Sequence, residues 1–165
     1  MKELLGKLSS YNLFNYLLPG TVFVVLLREI TSYDLVQESV FLGAFLYYFI
    51  GLCISRFGSL IVGFILKKIT FIKFTDYSDY IHASDSDEKI QLFSEVNNVY
   101  RTLIAMFSLL LLTKAFESIC ANWNCDKQTT ITLLIIVLLI LFIFSYKKQT
   151  GFIVSRVNVR NKKSA

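Results

Sequence analysis

The stretch TTITLLIIVLLILFIFS, residues 129–145, decides the fold class of this chain. From Ile131 to Phe144 every residue is apolar except Thr132, and no charge falls between Lys127 and Lys147. At a rise of about 1.5 Å per residue, such a run crosses a hydrocarbon layer roughly 30 Å thick. A helix at the surface of a soluble core would carry a polar stripe, and this one carries none. The run stops at Tyr146-Lys147-Lys148, an aromatic followed by two cations. That pattern marks a helix leaving lipid on the positive, cytoplasmic side.

Three further apolar stretches lie upstream, so the sequence predicts an all-α integral membrane protein with four transmembrane helices. The spans are expected at about residues 13–30, 39–66, 102–119 and 129–146, within a single membrane domain covering 1–165. A cytoplasmic hairpin, 67–101, and a cytoplasmic tail, 147–165, complete it. Charged residues make up 18% of the chain, below the share of about 25% usual for soluble domains. A net charge of +5 would suggest nucleic acid in a soluble protein. Here 13 of the 17 Lys and Arg fall in the hairpin, the tail and the first residues once both termini are placed inside, and this bias sets an N-in, C-in topology. The setting expected is a bacterial inner membrane. Lys2 and Lys7 precede an apolar run, yet no small-residue cleavage pattern follows, so the first span is read as retained.

Residues 1–11 place Leu4, Leu5 and Leu8 at helical spacing, which fits either a helix lying on headgroups or the first turn of span one. Asn12, Asn15 and the pair Pro19-Gly20 are costly at the membrane edge unless something satisfies them. Pro19 either starts the true span or kinks one continuous helix. A short acidic turn with Asp34 and Glu38 leads to span two, which is longer than a bilayer needs and contains Arg56. Gly43, Gly51, Ser55, Ser59 and Gly63 lie along one line of that helix. Small residues so spaced let another backbone approach, and they are read as a helix-packing and self-association seam. Arg56, beside that seam, either lines a shared axis as a pore or sensing residue or snorkels to the inner headgroups.

The hairpin collects Asp76, Asp79, Asp85, Asp87 and Glu88, and Asp85 with Glu88 is spaced to cap a helix. Ile90, Phe93, Val96, Val99 and Tyr100 then mark one apolar face. That helix is expected to run unbroken into span three, projecting on the order of 20 Å into the cytoplasm. Lys114 and Glu117 are one turn apart, a spacing for an interfacial ion pair, a snorkelling lysine or a buried gate pair. The next loop carries Trp123 as an interface anchor, and Cys120 and Cys125, five apart, are a candidate disulfide. In the tail, Ile153, Ser155, Val157 and Val159 alternate with Val154, Arg156, Asn158 and Arg160. This is strand periodicity, and the competing reading is a disordered tail on anionic lipid.

No catalytic constellation is legible. His82 is the lone histidine, and no phosphate-loop, dinucleotide or zinc pattern occurs. The reading is therefore a non-enzyme without cofactor. Its partners would be membrane lipid, further copies of itself, and a cytosolic protein held on Asp76, Asp79, Asp85, Asp87, Glu88, Phe93, Arg156 and Arg160. Two functions compete: a sensor and scaffold, or a membrane-permeabilising pore.

The opening Tyr11-Asn12-Leu13-Phe14-Asn15-Tyr16-Leu17-Leu18-Pro19-Gly20, followed by four short spans and a basic end, resembles the small four-span membrane subunits encoded in bacterial anti-phage defence operons, most closely the KwaA-type subunits of Kiwa systems. The resemblance implies a homo-oligomeric inner-membrane sensor with a cytosolic DNA-binding partner, so that nucleic acid is met only through that partner. It carries no active-site residues.

Overall fold

The computed structural model describes residues 11–123 and 126–164, with side chains through Asn161. Four helices in it are long and apolar enough to cross a membrane: α1 (Leu13–Ile30), α2 (Val40–Lys68), α4 (Glu88–Trp123) and α5 (Lys127–Ser164). A short helix, α3 (Tyr77–Ser86), lies between α2 and α4. All regular structure among the described residues is helical.

The short connections gather at one end. Ser39 caps α2, its hydroxyl accepting from the Leu42 N–H at 3.3 Å. Lys114 pairs with Glu117 at 2.8 Å, and the other Glu117 oxygen accepts from the Ser32 N–H at 2.6 Å, tying the α1–α2 loop to α4. Asp126 accepts from the Gln128 and Thr129 N–H groups and starts α5. We call this the loop end. Helix α4 has 36 residues and so spans about 54 Å, well beyond a hydrocarbon core of roughly 30 Å. Helices α2 and α5 overrun in the same direction, and together they form a protruding end.

Three helices make the packed centre. Gly20 and Gly51 set how closely α1 approaches α2. A Cβ added to Gly20 would sit 1.8 Å from the Tyr47 carbonyl oxygen, and one added to Gly51 would sit 1.8 Å from that of Tyr16. Only hydrogen fits at either position, so the two backbones touch there. Helix α4 packs against both α1 and α2, burying Ile54, Val62, Ala105 and Met106 at its contact with α2. Helix α5 stands outside this trio. Only 6% of its most apolar window is buried, against 33% for α1. Its attachments are specific and few: Phe49 stacks on Phe142 (6.1 Å), Lys148 reaches Ser59, and Arg156 reaches Asp85.

Two widened turns interrupt the helices. Leu13–Leu17 is a π-turn, with the Leu18 N–H bonded five residues back to Leu13. It precedes Pro19, which has no N–H to give, and the helix continues through the proline. Pro19 therefore does not start the span but lies within one continuous helix, Leu13–Ile30. A second π-turn covers Gly58–Val62 in α2.

Three expectations need correction. The tail is not a strand: α5 continues as one helix through 153–160. A single strand leaves its ladder unsatisfied, whereas extending an existing helix adds one internal hydrogen bond per residue. The cap before α4 is Asp87, whose carboxylate accepts from the Lys89 N–H at 2.9 Å, while Asp85 turns toward Arg156. The helix before the last loop persists to Trp123, which is 80% exposed. The Cys120–Cys125 pairing lies outside the described residues, as does the structure of 1–10.

Candidate functional site

The polar residues that a membrane span can least tolerate converge where α1, α2 and α4 meet. Asn15 in the first π-turn, Ser55 on α2 and Thr102 on α4 are 1%, 4% and 0% exposed. The Asn15 amide donates to the Ser55 hydroxyl (3.3 Å). The Thr102 hydroxyl lies 2.9 Å from the Asn15 amide oxygen, 3.3 Å from Ser55 Oγ and 2.8 Å from the Asn98 carbonyl. A hydroxyl has one proton, so Thr102 serves one of these acceptors at a time, and the Ser55 proton can serve another. The group is a closed three-helix network, and it answers how Asn15 is borne at this depth.

A cationic layer sits immediately toward the protruding end. Arg56 donates to the Tyr16 hydroxyl at 3.4 Å, and Tyr16 is held edge-on by Tyr48 at 5.4 Å. Arg101 lies along α2 where two glycines leave room: Cβ atoms built on Gly58 and Gly63 would come 3.5 and 3.6 Å from its side-chain carbons. Its Nε is buried and has no hydrogen-bond partner among the described residues. Lys148 crosses from α5 to donate to the Ser59 carbonyl (2.5 Å) and hydroxyl (2.9 Å). Ser59 is inside the second π-turn, where the Gly63 N–H goes to Gly58. Widened turns of this kind recur at functional sites because they re-aim backbone groups. Among the described residues, no carboxylate lies within 4 Å of Arg56, Arg101 or Lys148.

The seam residues are thus distributed within one chain. Gly51 faces α1, Ser55 joins the polar network, Ser59 meets α5 and Gly63 borders Arg101. Gly43 sits 3.3 Å from the ring of its own helix's Tyr47. Sequence reasoning singled out Arg56 and the cost of Asn15, but missed Thr102, Arg101 and Lys148. A polar residue at the inner end of each span was the available signal.

The hairpin and tail meet at the protruding end. Arg156 lies 3.8 Å from Asp85, Tyr77 packs on Phe152 (5.3 Å), and Ile81 is 1% exposed beneath them. Asp76, Asp79, Asp87 and Glu88 remain exposed, as does Arg160. On α4, Leu92, Phe93, Val96 and Tyr100 are exposed along one face. His82 is exposed on α3. Among the described residues, no three His, Cys, Asp or Glu side chains come together as a metal site.

No protein-family model, curated protein or solved structure matches this chain.

Proposed function

We propose that this protein is a sensor and scaffold of the bacterial inner membrane that self-associates and holds a cytosolic protein on its protruding end. The positive-inside bias puts that end, with both termini, in the cytoplasm. The observation that carries the reading is the unbroken run of α4 past the bilayer. It carries Tyr100, Val96, Phe93 and Leu92, all exposed, from the headgroup level outward over about 14 Å. Apolar side chains lined along one helix face and set in water favour a partner surface. The exposed acids of the same segment, Asp76, Asp79, Asp87 and Glu88, add negative charge to this end.

Following the resemblance to the anti-phage membrane subunits, the partner is a DNA-binding subunit that restrains phage DNA. The pore reading rests on Arg56 facing an axis shared between copies, and in this chain Arg56 faces Tyr16 instead. Co-expression with the protein encoded next to it, followed by co-purification from membranes, tests the scaffold. The pair Phe93→Asp and Tyr100→Asp is expected to abolish capture with insertion unchanged. Capture that survives both changes, and deletion of the residues after Thr150, rules the reading out.

A further inference from the structure

Three cations gather beside the second π-turn. Arg56, Ser59 and the flanking Gly58 and Gly63 occupy two turns of α2, and these same residues receive Arg101 from α4 and Lys148 from α5. The three charges are close enough to repel one another. A half-buried cluster of one sign is unfavourable unless a counter-charge joins it. Within the described chain none does. Glu95, which like Arg101 lies within reach of Tyr11, makes no ion pair with the three among the described residues. Arg101 adds a second, independent sign. Its buried Nε–H has no acceptor among the described residues, although such orphans are rare in folded proteins.

Depth narrows the chemistry. Counting along α4 from Trp123, Arg101 lies about 33 Å from the loop end, and counting along α5 from Lys127, Lys148 lies about 32 Å from it. Both fall where lipid phosphates begin, one bilayer core away. Guanidinium forks and an ammonium converging at that depth suit phosphate oxygens, and basic pockets between spans take lipid head groups in this way. The hydroxyls of Tyr16 and Ser59 supply further neutral donors at its rim.

We propose that Arg56, Arg101 and Lys148, seated on the Gly58–Val62 π-turn, form a binding site for one phosphate-bearing anion, filled by the phosphodiester of an anionic lipid of the leaflet at the protruding end. The site joins α2, α4 and α5, so its occupant fastens the loosely held fourth helix to the central three.

The test uses the full chain in nanodiscs of phosphatidylcholine, with and without phosphatidylglycerol, and separately with inorganic phosphate added. Thermal unfolding and native mass spectrometry are read on the wild type and on Arg101→Gln, Lys148→Gln and Lys147→Gln. Lys147 is exposed and adjacent in sequence, so it controls for the general basicity of the tail. Phosphatidylglycerol is expected to stabilise the wild type and to be retained. Losing one charge-assisted contact lowers retention about tenfold in Arg101→Gln and Lys148→Gln, and leaves Lys147→Gln unchanged. Should Arg101→Gln fail to fold, Lys148→Gln on the peripheral helix decides. An equal response to inorganic phosphate in phosphatidylcholine discs keeps the site and assigns it a soluble anion. No response of the wild type to either probe, or equal loss in Lys147→Gln and Lys148→Gln, overturns the proposal.

Discussion

Thr102→Val removes one hydroxyl and changes almost nothing else. The two side chains have nearly the same shape, and Thr102 is fully buried, so no cavity opens and no surface is newly exposed. The Asn15 amide oxygen, 2.9 Å away, loses its donor, and Ser55 loses a neighbour at 3.3 Å. Leaving a buried acceptor unsatisfied costs about 1–3 kcal/mol in soluble proteins. Between membrane helices the measured couplings are smaller, about 0.6 kcal/mol on average and about 1.7 at most. The acceptor belongs to a residue only 1% exposed, so a loss of about 1–2 kcal/mol is expected, a factor of roughly 5–30 in the folded ratio. Steric-trap unfolding in bicelles reads this directly. Thr102→Ser keeps the hydroxyl and should retain most of the stability. A double-mutant cycle with Asn15→Leu should return a coupling of about 1 kcal/mol, since the two residues act through one bond. A Thr102→Val chain as stable as the wild type, or a coupling near zero, would show that the three-helix network does not hold the bundle.

Other outcomes follow from single contacts. Gly51→Ala drives a methyl into the Tyr16 carbonyl, so α1 and α2 must part, at a cost of about 3 kcal/mol or more in the same assay. Gly151→Ala has open space around it inside a helix and should gain about 0.5–1 kcal/mol. Arg156→Ala breaks a half-exposed pair and should cost under about 1 kcal/mol, an effect that salt removes. The Thr129 side chain, with its N–H, holds the Asp126 carboxyl below its ordinary value. The folded value being the lower one, the cap's contribution is complete above the ordinary carboxylate range and is lost as pH falls through the depressed value. Hydrogen exchange at Gln128 and Thr129 should therefore accelerate only in stronger acid, and Asp126→Asn should abolish that pH dependence.

Hydrophobic length made the four long helices legible, because residues 131–144 allow no other solvent-facing arrangement. The spacing of small residues announced close packing, but spacing names a face and not the neighbour that meets it. Gly51 and Ser59 sit on one line of α2, yet one faces α1 and the other α5. Nothing in the spacing around Arg56 points to its partner, a tyrosine hydroxyl forty residues earlier. The tail shows the limit of short periods. Ile153, Val157 and Arg160 fit a strand's alternation and also a helix face at steps of four and three. What decided it was the helix already running from Lys127, a feature no window of eight residues contains.

Central to the proposed function is the passage of α4 from lipid into water along one continuous helix. Phe93 and Leu111 are 66% and 72% exposed within the chain, so they differ only in the solvent around them. Cysteine at either position, in a background of Cys53→Ser, Cys120→Ser and Cys125→Ser, can be challenged with a membrane-impermeant maleimide on inverted membrane vesicles. Phe93→Cys should label fully and Leu111→Cys should stay unlabelled until detergent is added. Equal labelling of both, or a Phe93→Cys chain that labels only from the opposite side, would contradict it.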